Sequence, residues 1–292
     1  MMFGYKDWFD YFQCSACKCL QIAEIPSNMS KYYPSHYYSF NPKKRRLQKN
    51  TAVRALRRLQ DRYTVFDRGP LGMLVSSLSP NRKLAPLANI GLTRDSRILD
   101  VGCGDGWRLY TLRDIGFRNV LGIDPYIQND IDYDNGVRVC KQSIYDVTGE
   151  WDLIMYHHSF EHVPDPVKDL QMVSRLLPAG GCCLIRVPTV SSFAWEEYRE
   201  NWVQLDAPRH YTLPSIEGMK ILAAKTGFLV QAVIFDSTKD QFQGSELYKK
   251  GLPLASGDTA FTPCQIKRWK RQAKKLNKEN RGDQAAFYLI KK

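Results

Sequence analysis

The 292-residue chain has no apolar run approaching the ~18 residues that a membrane helix needs. No secretory leader is expected from its opening residues either. Lys6, Asp7, Asp10 and Glu24 interrupt the aromatics of its first thirty residues. Its eight cysteines are scattered and do not resemble a disulfide framework, so a reducing, cytoplasmic setting is expected. No internal repeat or low-complexity tract is present. A hydrophobic content of 43% and a charged content of 25% exclude disordered and collagen-like chains.

Acid is in short supply, and the net charge is +12. The excess sits in two places. Residues 43–62 carry nine basic side chains against Asp61, and residues 263–292 carry ten against Glu279 and Asp283. The remainder of the chain is slightly acidic. Both segments have helical apolar spacing, with Ala52, Leu56, Leu59, Tyr63 and Phe66 in the first and Ile266, Trp269, Ala273 and Leu276 in the second. Their basic faces read either as solvated helix surfaces or as sites for phosphate-bearing molecules, nucleic acid or anionic lipid.

Three regions follow from composition. Residues 1–42 form an aromatic, cysteine-containing appendage, and residues 43–85 a basic helical linker. Gly69, Pro70, Gly72 and Pro80 in that linker predict a loop. Residues 86–292 alternate strands with helices, which implies a mostly parallel, doubly wound α/β sheet of the Rossmann-like kind. Strands are expected at 97–101, 120–123, 137–140, 153–156, 182–187, 228–235 and 286–290.

The first of these strands ends in Asp100-Val101-Gly102-Cys103-Gly104-Asp105-Gly106. Glycines there permit a tight turn and close approach of a ligand to the backbone. The third glycine comes one residue too early for the dinucleotide fingerprint, and no Gly-Lys-Ser/Thr follows for a P-loop. Asp124 ends the second strand, where an acid can accept hydrogen bonds from ribose hydroxyls.

Taken in order, LDVGCGDG, GIDP, WDLIMYHHSFEHVPDP and LLPAGGCCLIRVP resemble the class I S-adenosylmethionine-dependent methyltransferases. The resemblance implies a seven-stranded sheet and S-adenosylmethionine as cofactor. It implies that Asp100, Gly102, Cys103 and Gly104 surround the methionine part and that Asp124 holds the ribose. Ser143 and Ile144 would meet the adenine, although the family often has an acid at the Ser143 position, and His157 would lie near the sulfonium.

The block Trp202-x-x-Leu205-Asp206-x-Pro208-Arg209-His210 resembles methyltransferases acting on sugars and ubiquinone precursors. GSELY at 244–248, NKENRGDQAAFYL at 277–289 and YYPSHYY at 32–38 resemble the bacterial sugar and cell-surface polysaccharide group. Many of that group begin with a zinc ribbon. Here Cys14-x-x-Cys17 is one pair without its counterpart, and Cys19 and His36 are poorly spaced substitutes, so a degenerate ribbon is expected.

Methyl transfer to a hydroxyl needs a base, and histidine suits it. His158, Glu161, His162 and His210 are the candidates. Three roles stay open. His162 or His210 is the base with Glu161 orienting it, or the four ligate a transition metal, or the block merely packs and caps. The first is preferred, and no metal is assigned. Arg209 can pair with an acceptor phosphate or carboxylate, or with a neighbouring acid. Trp195, Tyr198 and Trp202 can stack on a sugar or pack the core. The expected acceptor is a nucleotide- or lipid-linked sugar. A quinone precursor or other small molecule, RNA, and contact with an anionic membrane remain as rivals.

Overall fold

The computed structural model describes residues 5, 7–33, 51–67, 69–78, 84–88, 90–257 and 260–292. In chain order its strands and α-helices are β1 Tyr11–Gln13, β2 Leu20–Ile22, α1 Thr51–Phe66, α2 Pro70–Leu78, β3 Arg97–Val101, α3 Trp107–Ile115, β4 Asn119–Ile123, β5 Ile131–Asp132, β6 Arg138–Cys140, β7 Leu153–His157, α4 Pro166–Leu176, β8 Cys182–Pro188, α5 Phe193–Tyr198, β9 Thr212–Leu213, α6 Ile216–Lys225, β10 Phe228–Phe235, α7 Asp240–Lys249, α8 Pro263–Lys278 and β11 Gln284–Lys291.

The larger sheet runs β10-β11-β8-β7-β3-β4-β6-β5. It is the mostly parallel Rossmann-like sheet the alternation implies, with eight strands rather than seven. The extra strand, β5, is two residues long and antiparallel to β6, too short to leave a period in the sequence. β3 pairs parallel to β4, and β4 to β6. β10 and β11 are antiparallel and carry a bulge between Val230 and Ala232.

The chain divides into two compact units. One comprises Ser35–Met155 and Arg175–Cys182. Its core is built from Ile98 and Leu99 of β3, Leu109, Leu112 and Ile115 of α3, and Ile123 and Val139. These are the near-continuous apolar runs of buried parallel strands with the inward stripe of one helix. Gly116, left-handed at φ 115°, ends α3 and donates back to the Arg113 and Leu112 carbonyls.

In the same unit the loop expected at 69–80 is largely the helix α2. Pro70 occupies the first turn, where no N–H is missed, and the Gly69 carbonyl accepts from Met73 N–H. Gly72 explains the second breaker. A Cβ built there would lie 2.6 Å from the Leu59 carbonyl oxygen of α1, so only glycine lets the helices approach. The basic residues 43–50 and the Tyr-rich stretch beyond Tyr33 lie outside the described residues.

The other unit comprises Met1–Pro34, Tyr156–Ser174 and Cys183–Lys292. β1, β2 and β9 form a three-stranded antiparallel sheet, with Leu20 opposite Leu213. The N-terminal strands are thus completed by a strand almost two hundred residues later. Cys19 is buried, and a Cβ at Gly218 would strike its sulfur, while Cys14 Sγ accepts from Cys17 N–H at 3.5 Å. His36 lies outside the described residues.

Leu20, Val190, Ala194, Tyr198, Trp202, Leu213, Phe242, Ala273 and Leu276 form the core of this unit. Trp202 is 0% exposed and donates its indole N–H to the buried Asp283 at 3.2 Å. It is therefore a core residue and not a platform for a sugar, because a tryptophan closed on all sides has no face to offer. Tyr198 is likewise buried and donates to Glu246. Trp202→Ala removes both packing and the hydrogen bond, and should cost about 3–5 kcal/mol. Urea denaturation checks this, and a loss under about 1 kcal/mol would contradict it.

Candidate active site

The glycine loop is built within the first unit. The carbonyl of Ile123, at the end of β4, accepts from both Gly102 N–H (2.8 Å) and Cys103 N–H (3.2 Å). Gly102, Gly104 and Gly106 all take left-handed φ, at 68°, 57° and 68°. Gly106 opens α3 without a side-chain cap, and a Cβ there would lie 2.3 Å from Val139 Cγ2.

Asp124 does more than end a strand. Its Oδ2 accepts from Gly104 N–H at 2.9 Å and its Oδ1 from Tyr126 N–H at 2.8 Å. The acid expected to hold a ribose also braces the loop. Burial raises its carboxyl above the ordinary value, against the pull of those backbone donors. Asp100 Oδ1 is buried with no hydrogen-bond partner. Burial pushes its carboxyl up to about 7, with the Arg108 guanidinium opposing. Burial also holds the Cys103 thiol well above its usual range, so it stays protonated and inert.

Ser143 serves the backbone. Its Oγ accepts from Tyr145 N–H while Asp146 accepts from Ser143 N–H, a reciprocal cap on the single turn Ile144–Asp146. Ile144 is buried. Two supporting residues escape sequence reasoning. Tyr133 donates its hydroxyl to the Asp105 carbonyl. Gly122 leaves room for Cys103 and Leu109, whose atoms a Cβ would meet at 2.6 and 2.8 Å. An isolated glycine inside a strand was the available signal for Gly122.

The histidine and carboxylate cluster belongs to the second unit. β7 ends at His157, and His158 takes φ 57° before the single turn Phe160–His162. His157 sits edge-on to His158 with ring centroids 5.0 Å apart. His158 Nε2 faces the Arg186 guanidinium, which can only donate, so the His158 proton is on Nδ1, 3.5 Å from Glu161 Oε1. Arg186, also missed from sequence, is clamped by Asp236 and Gln284.

Glu161 is 1% exposed, and neither carboxylate oxygen has a hydrogen-bond partner. His210 Nε2 stands 3.9 Å from Glu161 Oε1 and 3.6 Å from Asp206 Oδ2. The His162 and His210 rings are 4.8 Å apart. His162 Nδ1 lies 2.7 Å from the Arg209 carbonyl and His210 Nδ1 2.7 Å from the Gln204 carbonyl. A carbonyl only accepts, so each ring carries its proton on Nδ1 and leaves Nε2 with a lone pair. Burial lowers both imidazoles to about 4, so they are neutral at neutral pH. Ligand atoms of Glu161, His162 and His210 all lie within 4.8 Å of one another. Such a group can accept a proton or hold a metal ion.

Arg209 is buried and turned inward. It pairs with Asp206 and lies over the Tyr33 ring at 5.8 Å. The neighbouring acid is therefore its observed partner. Among the described residues no helix is long and apolar enough to cross a membrane.

Comparison with known proteins adds the following. A family model described as a methyltransferase domain matches residues 75–233. Two curated tRNA U34 carboxymethyltransferases are similar. The one from Aliarcobacter butzleri is 24% identical over 146 residues, covering 46% of this chain and 48% of the relative. The one from Campylobacter fetus is 22% identical over 147 residues, covering 47% and 51%. The chain thus spans about half the length of the curated relatives it matches. A solved cyclopropane synthase from Mycobacterium tuberculosis aligns with TM-score 0.49 at 17% identity, over 81% of this chain and 98% of that one.

Proposed function

The chain belongs to the methyltransferase-domain family, and on that footing we propose that it transfers a methyl group from S-adenosylmethionine to a hydroxyl or carbon of a sugar. The sugar would be attached to a nucleotide or to a lipid phosphate. The observation that carries the chemistry is His162, half-buried, its Nδ1 proton committed to the Arg209 carbonyl and its Nε2 bare.

The residues present fit the cofactor. Three left-handed glycines, the braced Asp124 and the partnerless Asp100 oxygen make a cradle for a ligand bearing both hydroxyls and a positive charge. When bound, S-adenosylmethionine supplies a methyl carbon already activated by its sulfonium, so the chain must chiefly orient the acceptor and take its proton. His162 takes that proton at Nε2. Burial and the neighbouring His210 ring oppose the resulting imidazolium, and the Glu161 carboxylate favours it.

A sugar acceptor is supported by the segments 244–248 and 277–289, which resemble sugar and polysaccharide methyltransferases, while the block 202–210 resembles methyltransferases of both sugars and ubiquinone precursors. RNA is the second reading, supported by the tRNA-modifying relatives and by the basic face of α8. A methyl-tritiated S-adenosylmethionine screen over nucleotide sugars, polyprenyl-linked sugars and RNA separates the two. Label entering RNA alone would overturn the sugar assignment, and label entering nothing would overturn both.

Asp100 sets a pH signature. A cationic ligand beside it lowers its carboxyl from about 7, so binding expels a proton. Cofactor affinity should therefore rise with pH up to about 7 and level off above. Calorimetry in buffers of different ionisation enthalpy measures the proton, and buffer-independent heats near pH 7 would refute the assignment.

A further inference from the structure

One motif that methyl transfer leaves unused is Cys14-Ser15-Ala16-Cys17. It forms the turn between β1 and β2. Cys14 N–H donates to the Cys19 carbonyl and Lys18 N–H to the Cys14 carbonyl, both at 2.9 Å. A single turn closed in this way keeps Cα atoms three residues apart within about 7 Å, inside the range that a disulfide spans. The Cys14 sulfur is folded back over the turn, where it accepts from Cys17 N–H at 3.5 Å. Both side chains are half-buried, so solvent and small reagents reach the pair.

The sulfurs of this run are unequal. The Cys17 and Ala16 N–H groups, the Cys17 thiol and the Lys18 ammonium all favour negative charge on Cys14 and hold its thiol below the ordinary value. Cys19 is built differently. It is buried, its sulfur accepts Ser215 N–H at 3.5 Å, and burial pushes its thiol up to about 11.

We propose that Cys14 and Cys17 are a reversible dithiol–disulfide pair, oxidised by a small disulfide such as glutathione disulfide, with Cys14 as the attacking sulfur. The Cys14 thiolate attacks one sulfur of the small disulfide. A mixed disulfide forms, and one thiolate leaves and takes up a proton. The Cys17 thiol then gives its proton to water and attacks the Cys14 sulfur. The Cys14–Cys17 bond forms, and the second thiolate leaves and is protonated in turn. The pair has lost two electrons and two protons, and the small disulfide has become two thiols.

A metal ion is the other use of such a motif. Structural zinc takes four ligands. This turn offers two half-buried sulfurs, while the Cys19 sulfur is turned towards the start of α6, where a Cβ at Gly218 would strike it. The pair takes no part in methyl transfer, so its test needs neither acceptor nor turnover.

The test equilibrates the full chain with mixtures of reduced and oxidised glutathione, blocks the remaining thiols and maps the peptides by mass spectrometry. The wild-type chain should lose two hydrogens, with the new bond between Cys14 and Cys17, and excess reduced glutathione should reopen it. C17S cannot close the bond and should hold glutathione on Cys14, whereas C14S should take up about tenfold less. In the reduced wild-type chain at neutral pH, iodoacetamide should modify Cys14 about tenfold faster than the equally half-buried Cys17. Failure to form the bond in a large excess of glutathione disulfide overturns the proposal. So does a bond to Cys19 in its place, a bond that reduced glutathione does not reopen, or modification of Cys17 as fast as Cys14. One zinc ion bound per chain and shielding both sulfurs from iodoacetamide would identify a metal knuckle instead.

Discussion

His162→Ala lowers methyl-transfer turnover by about 10²–10⁴-fold and leaves cofactor affinity within about twofold. The expectation follows from how the ring is held. Its Nδ1 is committed to the Arg209 carbonyl, so the only nitrogen that can take a proton from an acceptor is Nε2. Burial leaves the free imidazole neutral and ready to accept. Glu161→Gln should cost less, about 10–100-fold, because an amide keeps the shape but removes the charge that steadies the imidazolium. The pair of variants also separates a proton acceptor from a packing residue. A packing role would lower the thermal midpoint of both without touching the pH profile of the remaining activity. Retention of more than half the turnover by His162→Ala, with label still entering the same acceptor, would end the base assignment.

Asp124→Ala weakens S-adenosylmethionine binding by about a hundredfold or more. Two effects add. The ribose loses its acceptor, and Gly104 N–H and Tyr126 N–H lose theirs, each deserted donor costing about 1–3 kcal/mol where water cannot replace the carboxylate. The glycine loop then has nothing to hold its left-handed turns in register. Asp124→Asn keeps one oxygen and should fall between, since it can satisfy one of the two backbone donors. Titration calorimetry reads both, and an unchanged dissociation constant for Asp124→Ala would remove Asp124 from the site.

The glycine loop and Asp124 were legible in the sequence because their requirements are local: left-handed turns need glycine, and the acid sits at a fixed distance along the chain. The parallel sheet was legible because buried strands are apolar on both faces. The two-residue β5 was not, and neither was α2, whose proline and glycine look like breakers but serve the first turn and a close approach. Glu161, His162 and His210 could be named, but their ring and carboxylate distances arise from pairing residues nearly fifty positions apart. The roles of Trp202 and Arg209 stayed open in the sequence for one reason. An aromatic ring or a guanidinium looks the same in a sequence whether it points at a ligand or at the core, and only Asp283 and Asp206 settle which.

The pairing of β2 with β9 has a consequence for synthesis. Leu20 and Gln21 emerge from the ribosome long before Leu213 and Thr212, their partners. Until then β2 has one open edge, and Cys19 lacks the Ser215 N–H that its sulfur accepts. Contacts so distant in sequence form late, because a long loop must close before they repay the lost freedom. The hairpin of β1 and β2 must therefore wait, with one strand edge unpaired, while the residues between Ile22 and Thr212 are made. That interval is when the nascent chain is most exposed to association with its neighbours.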